Sequence, residues 1–318
     1  MEVSFLSKIA ILTGASYDKT EIGRIAPGWE IFIGEISEIR QALMQAEIVA
    51  GFGNVIGEIV HNNDKLRWVQ SFSAGIDSYP LYEMKKKEII LTNAAGVYAV
   101  PIAESIIGMM LGYSRGLFAS LSARKNKKWV RREYSELHGM TVGILGAGSI
   151  GRETARLAKA FEMKTLGFRK SGCASPFFDE IFPINRLNDL LAQSDFIVNI
   201  LPLTPETKGL IDRSRFRVMK KTAGYISVGR GLTTDQNALI EALRHHELAF
   251  AGLDVTVPEP LPPGSPLWEM ENVLITPHIS GSTLNYFKRV MSLFLENLEG
   301  FIKTGKPCRN IVDFDLMY

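Results

Sequence analysis

Three ionisable side chains in the second half of the sequence could carry proton and anion chemistry: Arg230 in SVGRG, Glu259 in LDVTVPEP and His278 in TPHISG. A guanidinium can grip a carboxylate and an adjacent carbonyl through its fork of N–H donors and so fix an attack geometry. An imidazole titrates in the range where general acids work, and a neighbouring carboxylate keeps imidazolium available. Taken singly, each also reads as a surface arginine, a loop carboxylate or a hydrogen-bonded histidine. Their joint placement points to chemistry. They follow strand-like apolar runs at Thr222 to Val228, Ala249 to Val255 and Asn272 to Thr276. In open α/β sheets the C-terminal strand edge is where ligands bind.

Such a constellation needs a sheet and a reagent, and both are legible in Met140 to Lys170, MTVGILGAGSIGRETARLAKAFEMKTLGFRK. An apolar run, Thr141 to Leu145, enters a glycine cluster, and a helical pattern leaves it before a second run, Thr165 to Phe168. Gly146, Gly148 and Gly151 match G-x-G-x-x-G: a tight turn, close approach of a pyrophosphate to the backbone, and close helix packing. The helix opening at Ser149 and Ile150 offers unbonded N–H groups to phosphate. The fingerprint expects a carboxylate about 20 residues onward for the ribose hydroxyl of NAD. The second strand instead ends in Arg169, Lys170 and Ser171, with no acid before Asp179. A guanidinium, an ammonium and a hydroxyl suit a 2'-phosphate, so NADP(H) is expected to be preferred, with NAD(H) as the second cofactor.

A chain of 318 residues with a formal charge of +2 has length for two cored domains and no bulk attraction to nucleic acid or membrane. Cys173 and Cys308 are too few and too separated for a disulfide framework or a cysteine-based metal site, so no metal is expected and a reduced, cytoplasmic setting fits. The apolar centre of MEVSFLSKIAILTGAS follows Glu2 and lacks an A-x-A pattern, which reads as a first strand and not a leader. Arg124 to Arg132, RKNKKWVRR, reads as a solvated helix end whose Trp129 caps a neighbouring surface; no second basic stripe supports nucleic-acid binding.

The N-terminal segment alternates strand-like and helix-like pieces, at Lys8 to Thr13, Gly28 to Ile33, Ile39 to Ala46, Ile48 to Phe52 and Leu66 to Ser71. Alternation of this kind argues for a doubly wound parallel sheet, so the fold class is α/β with two such units. After the last run, Ser71-Phe72-Ser73-Ala74-Gly75-Ile76-Asp77 is a small-residue turn able to aim successive N–H groups at an anion. Pro101, at the start of a long helix, marks the crossover. The apolar-periodic helix Leu284 to Ile302 is expected to pack back on the first unit. The expected division is therefore 1–100 with 285–318 as a discontinuous substrate-binding domain, and 101–284 as the dinucleotide-binding domain.

The chain resembles the D-isomer-specific 2-hydroxyacid dehydrogenases. GILGAGSIG, LPLTPETKGLI, SVGRG, AGLDVTVPEPLPPGSPLW and NVLITPHISGST occur in family order, preceded by SFSAGID and NAAGVYAVPIAE. The resemblance implies two Rossmann-like or flavodoxin-like domains with an active-site cleft between them, closing over substrate, in a homodimer. It implies that Arg230 orients substrate, His278 donates the proton, Glu259 pairs with that histidine, and Ala74 and Gly75 hold the substrate carboxylate. It also implies that Asp254 lies near the nicotinamide carboxamide, that Leu201, Pro202, Val228 and Gly229 line the cofactor side, and that Val97 and Tyr98 lie toward the substrate. Ser227 stands where relatives often have Asn. The implied activity is NADPH-dependent reduction of a small 2-oxo acid such as glyoxylate or hydroxypyruvate. Phosphoglycerate or D-lactate oxidation and a cofactor-sensing corepressor are the alternatives. The sequence ends too soon after Leu316 for the regulatory domain of longer phosphoglycerate dehydrogenases.

Overall fold

The computed structural model describes residues 6–52, 55–76, 78–170 and 172–315; Asp77, Ser171 and Leu316 lie outside the described residues. Contacts divide the chain into Met1–Tyr98 with Thr283–Tyr318, and Ala99–Ser282. Each crossing falls two residues before the position read from the sequence. The helix after the first crossing begins at Ala99 and takes Pro101 into its first turn, where the missing N–H costs no helical bond.

In the first unit, strands β1 (Lys8–Leu12), β2 (Glu30–Gly34), β3 (Ile48–Gly51), β4 (Trp68–Ser71) and β5 (Ile90–Thr92) pair in parallel in the order β2-β1-β3-β4-β5. Every residue of β3 and β4 is buried, so neither run alternates; β3 is wholly apolar, while β4 carries Gln70 and Ser71, whose side chains are hydrogen-bonded inside. Helices α1 (Thr20–Ile25), α2 (Ile36–Leu43), α3 (Ile56–Asn62) and α4 (Leu81–Lys86) make the crossovers.

The second unit begins with α5 (Ala99–Ser114) and α6 (Leu117–Lys125). There follow β6 (Thr141–Leu145), α7 (Ser149–Ala160), β7 (Lys164–Phe168), β8 (Glu180–Phe182), α8 (Leu187–Gln193), β9 (Phe196–Asn199), α9 (Arg213–Val218), β10 (Gly224–Ser227), α10 (Gln236–Arg244), β11 (Phe250–Leu253) and β12 (Val273–Ile275). The sheet is parallel, ordered β12-β11-β10-β9-β6-β7-β8. Strand order reverses between β6 and β9, and the open edge above that reversal is the usual nucleotide crevice of such sheets.

The chain then returns as α11 (Tyr286–Thr304), whose buried stripe includes Val290, Phe294, Leu298 and Phe301. Phe294 and Phe301 stack on Trp68 of β4 at centroid distances of 5.5 and 5.3 Å. Its one buried polar residue, Asn297, donates to Gln70 Oε1 at 3.0 Å. The first unit's core therefore includes both ends of its sequence. Among the described residues no helix is long and apolar enough to cross a membrane.

Candidate active site

The glycine loop sits at the end of β6. Gly146 takes φ +115°, open only to glycine, and the Gly146 and Ala147 amides donate to Phe168 O at 3.2 and 3.3 Å. A Cβ on Gly151 would fall 2.1 Å from Gly146 O, so the helix can approach the turn only without a side chain there. At Gly148 a Cβ would meet nothing within 4 Å. The space over this N-cap is open, and the Ser149, Ile150 and Gly151 amides precede the first helical bond, Arg152 N to Gly148 O. This cradle fits a dinucleotide pyrophosphate.

Arg169 and Lys170 emerge, exposed, from the C-terminal end of β7. Among the described residues the Arg169 guanidinium makes no ion pair, while Lys170 Nζ lies 3.7 Å from Glu206. Asp179, the next acid, accepts from Thr165 N at 2.8 Å and from Lys159 Nζ at 2.6 Å. That is the opposite end of β7, so this carboxylate does not stand in for the missing ribose-binding acid. Burial alone would push the Asp179 carboxyl up, but Lys159 and the Thr165 N–H and hydroxyl together hold it below the usual range.

The ends of β10, β11 and β12 carry the three ionisable residues. His278 Nδ1 lies 2.8 Å from Glu259 Oε2, and Glu259 Oε1 accepts from Thr256 N at 3.1 Å. His278 has φ +54°, rare for a side chain with a Cβ and costing about 1–2 kcal/mol. Its N–H donates to Asp254 O and Thr276 O at 2.9 and 3.0 Å. The next two amides, Ile279 and Ser280, donate to the Asp254 carboxylate, as do the Thr276 and Ser280 hydroxyls. Asp254 is 2% exposed, so this carboxylate is engaged within the chain and holds the histidine's turn in shape.

Arg230 is half-buried, with Nη1 donating to Gly229 O at 3.1 Å. Close backbone approaches seat its loop: a Cβ on Gly229 would fall 2.7 Å from Leu201 O, and one on Gly231 would fall 2.4 Å from Thr256 O. The Arg230 loop thus abuts the loop carrying Glu259. Gln236, first residue of α10, brackets that loop by donating to Val257 O and accepting from Val257 N. Arg230, Glu259 and His278 are thereby joined through contiguous loops of one sheet edge. Leu201 and Val228 are 6% exposed, which leaves their backbone as the surface they can offer beside Pro202 and Gly229.

Beneath Arg230 lies a polar network that sequence reading did not find. Asn199 Nδ2 donates to Tyr225 Oη and Thr233 Oγ1, both at 2.8 Å, and Thr233 Oγ1 donates to Arg230 O at 2.7 Å. All three residues are fully buried, and burial pushes the Tyr225 phenol up to about 12. The only hint in sequence is a run of polar residues where strand ends should be apolar. Ser227, beside them, is 2% exposed, and its hydroxyl lies against the Tyr225 phenol.

In the first unit, the turn after β4 has the Ser71, Phe72 and Ser73 carbonyls occupied and the two amides that follow open. Ser73 O accepts from Ala94 N, while among the described residues the Ala74 and Gly75 N–H groups donate to nothing. Adjacent unbonded amides form an anion-binding concavity. Val97 is a core residue at 7% exposure, whereas Tyr98 is half-buried, with its hydroxyl on Phe72 O.

The profile of the D-isomer specific 2-hydroxyacid dehydrogenase, NAD binding domain, matches residues 107–280. The chain is similar to the glyoxylate reductase/hydroxypyruvate reductase of Mus musculus, 37% identical over 243 residues, covering 73% of this chain and 72% of that one. It is also similar to the D-3-phosphoglycerate dehydrogenase of Methanocaldococcus jannaschii, 29% identical over 287 residues, covering 87% of this chain but only 53% of that protein. Among solved structures, a D-isomer specific 2-hydroxyacid dehydrogenase family protein from Aeromonas salmonicida superimposes with a TM-score of 0.87 at 34% identity, covering 98% of this chain and 100% of that one.

Proposed function

The chain belongs to the D-isomer-specific 2-hydroxyacid dehydrogenases, NAD(P)-dependent oxidoreductases, and from that premise we propose that it reduces a small 2-oxo acid with NADPH. Glyoxylate and hydroxypyruvate head the substrates, the product being the 2-hydroxy acid, of D configuration where C2 is a stereocentre. The observation that carries the reading is the 2.8 Å pair of His278 and Glu259, joined loop to loop with Arg230.

The nicotinamide, when bound, supplies the hydride that reaches C2 of the substrate. Negative charge then develops on the carbonyl oxygen, and His278 delivers its proton there. Glu259 holds the ring through Nδ1, which leaves Nε2 to face the substrate. Arg230 orients the carbonyl and carboxylate, and the Ala74 and Gly75 amides receive the carboxylate. Gly146, Gly148, Ser149, Ile150 and Gly151 would hold the pyrophosphate, and Arg169 with Lys170 the 2'-phosphate, while Leu201, Pro202, Val228 and Gly229 would line the nicotinamide half. The open Arg169 guanidinium supports NADPH over NADH. One charge-assisted bond of about 1.5 to 3 kcal/mol gives roughly one to two decades of preference.

A panel of 2-oxo acids followed by NADPH absorbance tests the reading. Activity on at least one is expected, and His278→Ala should abolish most turnover while NADPH still binds. Equal loss of cofactor affinity and turnover would remove the proton-donor role, and NADH outperforming NADPH tenfold in kcat/KM would remove the cofactor preference. Similarity to the phosphoglycerate dehydrogenase favours a second reading, oxidation of 3-phosphoglycerate; turnover of that compound with silence across the 2-oxo acids would establish it. Leu117 and Leu121 of α6, with Trp129 and Val130 after it, are exposed apolar side chains that support a homodimer, to be checked by light scattering.

A further inference from the structure

We infer that Tyr98 and Tyr286 are positioning residues for substrate, whose two hydroxyls lock the Phe72 carbonyl and so keep the Ala74 and Gly75 amides facing the substrate carboxylate. The inference rests on the reading of that turn as the carboxylate site.

Every carbonyl on the rising side of the turn is engaged. Ser71 O accepts from Gln70 Nε2 at 2.9 Å, and Ser73 O accepts from Ala94 N at 3.0 Å and Ser71 Oγ at 2.9 Å. Phe72 O accepts two phenolic hydroxyls, Tyr286 at 2.6 Å and Tyr98 at 3.0 Å. A carbonyl oxygen has two lone pairs, and both are used here. It is not available to rotate toward an incoming anion, which its partial negative charge would repel. Beyond these engaged carbonyls, among the described residues the Ala74 and Gly75 amides stay unbonded.

The two phenols come from opposite ends of the first unit. Tyr98 is the last residue before the chain leaves for the second unit, and Tyr286 opens α11 just after the chain returns at Thr283. Their rings stack at 5.4 Å and 24°. Phe52 stacks on Tyr286 at 6.2 Å and meets Phe72 edge-on at 5.9 Å. Ring packing alone would be satisfied by phenylalanine at either position, yet both carry a hydroxyl and both hydroxyls reach one oxygen. Burial pushes both phenols up, Tyr286 further through the neighbouring Tyr98 hydroxyl, so both remain protonated donors at working pH.

The test uses Tyr98→Phe, Tyr286→Phe and the double variant, with oxamate as a non-reacting carboxylate probe bound to the NADPH complex. Each lost hydroxyl should raise the 2-oxo acid KM and the oxamate Kd about two- to tenfold. In contrast kcat should stay within about twofold, and NADPH affinity should not move. A double variant with a lowered Tm but wild-type KM and oxamate Kd would assign the tyrosines to packing alone and overturn the inference. So would a fall in kcat with KM unchanged. If the wild-type protein reduces no 2-oxo acid yet binds oxamate, weaker binding by the double variant still supports the positioning role while the proposed reaction falls. If the wild type neither turns over nor binds oxamate, both fall together.

Discussion

Thr233→Val isolates the buried network under Arg230 without changing side-chain shape. The hydroxyl donates to Arg230 O at 2.7 Å and accepts from Asn199 Nδ2 at 2.8 Å. After its removal Asn199 keeps Tyr225 Oη at 2.8 Å, and Arg230 O keeps the Thr233 amide at 3.0 Å. No group is orphaned, so the loss is two net hydrogen bonds, about 1 to 3 kcal/mol. In a unit of this size that lowers Tm by about 2 to 12 °C. The catalytic effect should be larger in proportion. A shift of about 1 Å in a group that orients substrate can cost on the order of 100-fold, so kcat/KM should fall about 10- to 100-fold while NADPH affinity holds. Differential scanning calorimetry, steady-state kinetics and fluorescence titration with NADPH read the three quantities. A variant that loses stability but keeps kcat/KM within about twofold would show that Arg230 is not positioned from below, and the proposed link between network and site would be wrong.

Gly148→Ala should fold with an unchanged Tm, because its Cβ meets nothing within 4 Å, yet weaken NADPH binding at least about tenfold by filling the pyrophosphate space; equal affinities would place the cofactor elsewhere. Asp179→Asn addresses pH. Its carboxyl is held below the usual range, so its stabilisation is present above the unfolded pKa of about 3.9 and is lost as pH falls through the depressed folded value. The Tm gap between wild type and variant should therefore be full near neutrality and close in acid, with NADPH affinity unaffected throughout; a pH-independent gap would refute the linkage.

Much of the second unit's frame was legible because its central strands, β6, β9, β10 and β11, are buried on both faces. β6 was read to the residue, and the runs Thr222 to Val228, Ala249 to Val255 and Asn272 to Thr276 contain β10, β11 and β12 but pass each strand at both ends, because composition does not mark where ladder pairing starts and stops. The three-residue strands β5 and β8 were missed. Runs of that length carry no usable period, and the equally short β12 was located only inside the longer run Asn272 to Thr276, while the polar Glu180 opens β8. The glycines were legible because their spacing is local. The tyrosine pair on Phe72 and the Asn199 network were not, since they join residues 26 to 214 positions apart. Trp129, expected to cap a neighbouring surface, is 90% exposed, so among the described residues no surface covers it.

The return of α11 to the first sheet has a consequence during synthesis. Trp68 waits on Phe294 and Phe301, more than two hundred residues downstream, to finish its surroundings. The second unit, by contrast, is one uninterrupted segment, Ala99–Ser282. On the ribosome it can complete its core while the earlier-made sheet still lacks its covering helix. The part of the protein translated first is then the part that matures last.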